Sequence, residues 1–88
     1  MISKDYIINA AEGIHARPAT ALVKLTKRFK STISMKKGPR TVKINSLLNI
    51  LSLAAKGGDT ITIIVDGEDE VGALVAIDLF FHEELKHL

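Results

Sequence analysis

The sequence predicts an α+β fold, with helices packed on one face of an antiparallel sheet. Three observations predict it. Segments with a two-residue apolar period alternate with segments of helical period in the order βαββαβα. A Gly38-Pro39 turn joins two extended segments directly, as a hairpin requires. The apolar stripes of the helical segments need a common sheet face to cover them.

Ile2, Tyr6 and Ile8 share one parity, interrupted by Lys4, so residues 2–8 read as a half-buried strand. After a loop over 10–13, residues 16–29 place Ala19, Leu22, Val23 and Thr26 at three- and four-residue spacings, the stripe of an amphipathic helix. Residues 31–37, with Ile33 and Met35 on one face, and residues 40–44 form the hairpin. Residues 46–55 carry Leu47, Leu48, Ile50, Leu51 and Leu53 around most of a circumference, which reads as a short helix. Gly57-Gly58-Asp59 is expected to end it, since glycine accepts the left-handed conformation of a helix C-terminus. The β-branched run 60–65 points Ile61, Ile63 and Val65 inward. Gly67-Glu68-Asp69-Glu70 puts acids at the positive end of a last helix whose buried stripe is predicted as Leu74, Ile77, Phe81 and Leu85.

A chain of 88 residues has room for one hydrophobic core, so a single domain over 1–88 is expected. With 47% apolar and 25% charged residues the composition is that of a folded chain rather than a disordered one. The absence of cysteine excludes a disulfide framework, thiolate metal sites and a cysteine nucleophile. No apolar run approaches the roughly 20 residues that span a bilayer, and the first nine residues lack the pattern of a secretory signal. A cytoplasmic location without membrane insertion is the expectation. The net charge of +2 does not by itself mark a nucleic-acid binder, and an acidic protein surface is an equally good partner.

The stretch Gly13-Ile14-His15-Ala16-Arg17-Pro18-Ala19-Thr20 crosses from loop into the first helix. Pro18 is tolerated only in a first helical turn, so it fixes the helix start just after His15. Unpaired backbone N–H groups and the positive dipole end meet there, and both favour a phosphoryl group attached to a side chain. Arg17 adds a guanidinium that binds phosphate oxygens bidentately without competing as a nucleophile. The same dipole disfavours an imidazolium, so His15 is expected to be a neutral nucleophile that needs no separate general base. Small Ala16 and Ala19 leave the ring accessible, and Gly13 lets the backbone bend around it. A capping or surface histidine is the competing reading of His15, and the meeting of His, Arg and Pro at one helix start favours function. His82 and His87, near the end of the last helix, read as structural or solvated.

This run resembles the active-site signature of HPr, the histidine-containing phosphocarrier family of the bacterial phosphoenolpyruvate-dependent sugar phosphotransferase system. The resemblance covers essentially the whole chain, including the element order, Ser46 at the start of the short helix and the Lys56-Gly57 stop before the fourth strand. It implies an open-faced β-sandwich, with four antiparallel strands in the order 1-4-2-3 and three helices on one face. It implies that His15 receives phosphate from Enzyme I and passes it to sugar-specific permease acceptor domains, with Arg17 stabilising the phosphoryl group. It also implies that Ser46, beyond capping its helix, is a regulatory phosphorylation site for an ATP-dependent serine kinase. Phosphorylation there would alter carrier activity and turn the chain into a co-regulator of carbon catabolite repression, with a transcriptional regulator as partner. Leu47, Leu48 and Leu51, which cannot all be buried against one sheet face, would dock partners together with Ala16, Thr20 and Lys24. Two positions depart from common patterns of the family: Asn45 replaces a frequent basic residue and Asn49 a frequent glycine.

No cofactor or metal is called for, because His15, His82 and His87 lack ligand spacing. The chain reads as a monomeric protein substrate rather than an enzyme. An RNA-recognition module shares the βαββαβ order, but its strands stack bases on aromatic residues. Here Phe29, Phe80 and Phe81 lie in or beside helices, and Tyr6 stands alone. A regulatory paralogue within the HPr family, serving carbon or nitrogen control, is the closer alternative.

Overall fold

A computed structural model describes residues 1–87 of the chain. The strands are β1 (Ile2–Ile7), β2 (Thr32–Lys37), β3 (Arg40–Lys43) and β4 (Thr60–Asp66); the helices are α1 (Ala16–Thr26), α2 (Leu47–Ser52) and α3 (Glu70–Leu79). α3 runs on without a break through a π-helical turn, Phe80–Glu84, and a 3₁₀ turn, Leu85–His87.

The four strands form one antiparallel sheet in the order β1-β4-β2-β3. Its register sets Tyr6 opposite Ile61, and Ile33 and Met35 opposite Val65 and Ile63. Side chains of alternate residues project from opposite faces, so these six residues line one face, and all are buried. Asp5, Lys36, Thr41 and Lys43 show the polar character of the other face, which is exposed. The core joins the apolar face to Ala19, Leu22 and Val23 of α1, Ile50 of α2, and Ala73 and Ile77 of α3. This is an open-faced sandwich with three helices on one side of the sheet. Burying a side chain such as Leu22 or Ile63 completely contributes about 1.5–3 kcal/mol.

Polar contacts at the rim orient the elements. The Tyr6 ring stacks on Phe81 with centroids 4.6 Å apart, and its hydroxyl donates to Asp78 Oδ1 over 3.0 Å. Burial, and then the Asp78 carboxylate, push the Tyr6 phenol above its ordinary value. Asp69 accepts from the backbone N–H groups of Lys30 and Ser31 at 2.8 and 2.9 Å and from the Ser31 hydroxyl, joining the start of α3 to the turn before β2.

Two helix ends, the left-handed residue after α2 and the buried stripe of the last helix differ from the expectation. α1 ends at Thr26 rather than at residue 29: the Arg28 and Phe29 N–H groups bond to Leu25 and Thr26 carbonyls in tight turns, while the Thr26 hydroxyl reaches across to the Ile44 carbonyl at 2.9 Å. α2 stops at Ser52, and the left-handed residue after it is Ala54 (φ 51°) rather than a glycine. Gly58 (φ 89°) belongs to the later turn that feeds β4. In the last helix Ala73 and Phe80 are buried with Ile77, Phe81 and Leu85, whereas Leu74 is half-buried. Val71, Val75 and Leu79 form an exposed apolar ridge on α3.

Candidate functional site

Gly13 shapes the approach to α1. It adopts φ 72°, and a Cβ on it would stand 2.2 Å from the Ala55 carbonyl oxygen. Only glycine permits both the left-handed turn and that approach. The next residue, Ile14, is buried and donates its N–H to the same Ala55 carbonyl at 3.0 Å. The loop carrying His15 is thereby fastened to the segment that leaves α2.

That segment is fixed in turn from the hairpin. Lys37 Nζ donates to the Ala54 and Leu53 carbonyls at 2.9 and 3.3 Å and pairs with Asp59 Oδ2 at 3.1 Å. The Asp59 carboxylate also accepts the Lys56 N–H at 2.9 Å. That N–H, followed by the Lys37 ammonium, holds the Asp59 carboxyl below its ordinary value.

His15 is the N-cap of α1, with extended backbone (φ −93°, ψ −171°), and its carbonyl accepts the Ala19 N–H at 3.0 Å. Its side chain makes no capping hydrogen bond. At this helix start the Ala16 and Arg17 N–H groups have no intrahelical acceptor, and Pro18, buried as the third residue of α1, has no N–H at all. Two backbone donors and the positive dipole end therefore remain beside a ring whose nitrogens are not used by the helix. The His15 side chain is 35% exposed, and its Nε2 lies 3.3 Å from Glu12 Oε2. The ring opens onto a shallow pocket of about 190 Å³ lined by Ala10, Ala11, Glu12, His15, Leu85 and Lys86. Ala16, Arg17, Thr20 and Lys24 are exposed along α1, and the Thr20 hydroxyl donates to the Ala16 carbonyl at 2.7 Å.

Ser46 is the N-cap of α2, where its Oγ accepts the Asn49 N–H at 3.4 Å. The Asn49 side chain donates to the Lys43 carbonyl at 3.1 Å and to Asn45 Oδ1 at 3.2 Å, so the two asparagines bind each other across the helix start. Leu48 is 76% exposed and Leu47 36%, whereas Leu51 packs partly on the core and Ile50 and Leu53 are buried. α1 and α2 pack against each other, which sets the His15 helix beside the leucine helix.

The sequence singled out His15 and Arg17 but missed Glu12, Leu85 and Lys86, which share the pocket with the ring. Glu12 stood in a segment read only as a loop, and the last turn of the chain carried no motif. A larger groove of about 290 Å³, lined among others by Thr26, Lys27, Lys43 and Asn45, holds none of the candidate site residues.

An imidazole that makes no capping bond at a helix N-terminus, with an arginine two residues on, can receive an anionic group, and the open-faced sandwich leaves it partly exposed. Residues 2–83 match the family described as PTS HPr component phosphorylation site. The chain is 42% identical to the phosphocarrier protein HPr of Haemophilus influenzae over 84% of this chain and 87% of that protein. It is 36% identical to the HPr-like protein Crh of Halalkalibacterium halodurans over 96% of this chain and all of that one. Among solved structures, the histidine-containing phosphocarrier protein of a mycoplasma superposes with a TM-score of 0.90 at 32% identity, covering 96% of both chains. Crh of Bacillus subtilis, solved as a domain-swapped dimer, superposes with a TM-score of 0.76 at 32% identity over 96% of this chain and 97% of that one. The chain belongs to the HPr family of phosphocarriers.

Proposed function

We propose that this chain accepts a phosphoryl group on His15 from phosphorylated Enzyme I, with phosphoenolpyruvate as ultimate donor. It then passes the group to sugar-specific permease acceptor domains. The observation that carries the reading is the His15 ring at the start of α1, making no capping bond and beside two backbone N–H groups that have no intrahelical acceptor. Arg17 neutralises the phosphoryl oxygens. Ala16, Thr20 and Lys24 of α1, with Leu47, Leu48 and Leu51 of α2, form the docking surface. The histidine is consumed in one transfer and regenerated by the next, so the protein is a carrier and not a catalyst. Its complexes are short-lived, because each partner must leave before the next docks. It acts in the cytoplasm as a monomeric single domain.

Incubation with Enzyme I, magnesium and phosphoenolpyruvate is expected to add one acid-labile phosphoryl group, mapped to His15 under alkaline conditions and absent from His15→Ala. No addition, while a known HPr labels in parallel, would overturn the reading.

The second reading is a regulatory protein acting through Ser46, favoured by the likeness to Crh over nearly the whole chain. Phosphate on Ser46 adds about two negative charges at the start of α2, beside the exposed Leu47 and Leu48. Phosphorylation of Ser46 by a serine kinase, in a protein that Enzyme I leaves unmodified, would select it.

A further inference from the structure

We propose that Glu12 is a positioning residue for His15, holding the ring proton on Nε2 so that Nδ1 both receives and releases the phosphoryl group. The proposal rests on the phosphocarrier reading above. Glu12 Oε2 is 3.3 Å from His15 Nε2. An ionised carboxylate offers only acceptors and negative charge, so a proton is favoured on the nitrogen that faces it and the lone pair on the other. The loop backbone that carries both residues is fixed: Gly13 donates its N–H to the Ala10 carbonyl at 2.9 Å and is pressed against Ala55, which sets the turn between Glu12 and His15. Among the described residues, the charged groups of this neighbourhood include Lys86, which lines the same pocket and pairs with Glu83 at 3.8 Å, Lys56, whose Cα abuts Gly13, and Arg17, exposed on α1.

The electron count favours this arrangement in both directions. With a phosphohistidine donor, the Nδ1 lone pair of His15 forms the new N–P bond while the donor's N–P bond breaks and its electron pair stays on the donor ring. His15 is then phosphorylated on Nδ1 and still protonated on Nε2, and the resulting positive ring faces the Glu12 carboxylate. In onward transfer the N–P bond breaks, its electron pair returns to Nδ1, and the ring is left neutral with the proton on Nε2. No proton moves in either step. A phosphorylated ring without that proton would have to leave as imidazolate, a much poorer leaving group. Glu12 thus keeps the phosphoryl group transferable.

The test compares wild type, Glu12→Gln and Glu12→Ala; Glu12 is 78% exposed, and amide spectra check that each variant keeps the fold. Long-range ¹H–¹⁵N correlation on unphosphorylated protein, above the pH where the ring is charged, reads the tautomer. The Nε2–H form is expected to dominate in wild type and in Glu12→Gln, which retains an acceptor oxygen, and to relax toward a mixture in Glu12→Ala. After chemical phosphorylation with phosphoramidate, the phosphohistidine lifetime at neutral pH is expected to lengthen about 1.5- to 5-fold in both variants, the range an exposed charge pair supports. Equal tautomer populations in wild type and Glu12→Ala, or equal lifetimes in all three proteins, would overturn the proposal. Neither measurement uses Enzyme I, so failure of the carrier reading is seen separately as a protein that phosphoramidate labels and Enzyme I does not.

Discussion

Two residues with positive φ take opposite positions on the same physical question. Gly13 meets a steric demand, and Gly13→Ala is expected to cost about 2–4 kcal/mol in urea denaturation, from the left-handed backbone together with the clash on the Ala55 oxygen. Ala54, at φ 51°, adopts the same region with a Cβ that disfavours it. Ala54→Gly is therefore expected to raise stability by about 0.5–1 kcal/mol in the same measurement, the relieved backbone outweighing the added freedom of the unfolded chain. At this scale the sequence was legible where a residue's role is local. Pro18 marked the helix start and so placed His15 and Arg17. Glu12 was not legible, because a three-residue separation across a loop brings two side chains together only when the intervening backbone turns as Gly13 does.

Helix lengths were the least readable property of the elements. The leucine run suggested a ten-residue helix, and the hairpin explains why the segment peels away early: Arg40 binds the Ser52 carbonyl and Lys37 those of Leu53 and Ala54. The last helix shows the reverse case. Ile77, Phe81 and Leu85 repeat every four residues, a spacing that drifts by roughly 40° per step on a regular α-helix. The wider turn at Phe80–Glu84 takes up that drift and brings Phe80 inward as well. Phe80→Ala is expected to lower stability by about 3–5 kcal/mol in thermal or urea unfolding. The start of α3 gives a pH prediction. The Ser31 hydroxyl, then the Lys30 N–H, hold the Asp69 carboxyl below its ordinary value. A carboxyl depressed in the folded state stabilises above its unfolded value, near 4, and loses that contribution as pH falls through the lower folded one. Asp69→Asn is expected to be less stable than wild type at neutral pH and to show a flatter decline below about pH 4 in urea midpoints measured across that window.

For the molecule as a surface, Leu48 is the informative position. At 76% exposure, Leu48→Glu is expected to leave the unfolding midpoint within about 0.5 kcal/mol of wild type while slowing phosphoryl transfer from Enzyme I in a timed labelling assay. The alternation within each strand and the polarity of the helices were readable because they arise from neighbours in sequence. The strand order was not, since the periodicity of β4 is the same whichever strands flank it, and only the resemblance to HPr supplied the order that the structure shows. That order places β4 between β1 and β2, so Ile61, Ile63 and Val65 are what both of them pair with. On a ribosome the sheet therefore cannot close until the chain has grown past residue 66. At about 5–20 residues per second, the 52 residues between Ile7 and Thr60 take roughly 3–10 s to be made, and β1 waits through that time without its partner. For a nascent chain of this fold, the first strand made is among the last to be protected, and its exposure to chaperones and proteases is set by the speed of translation rather than by the stability of the finished sheet.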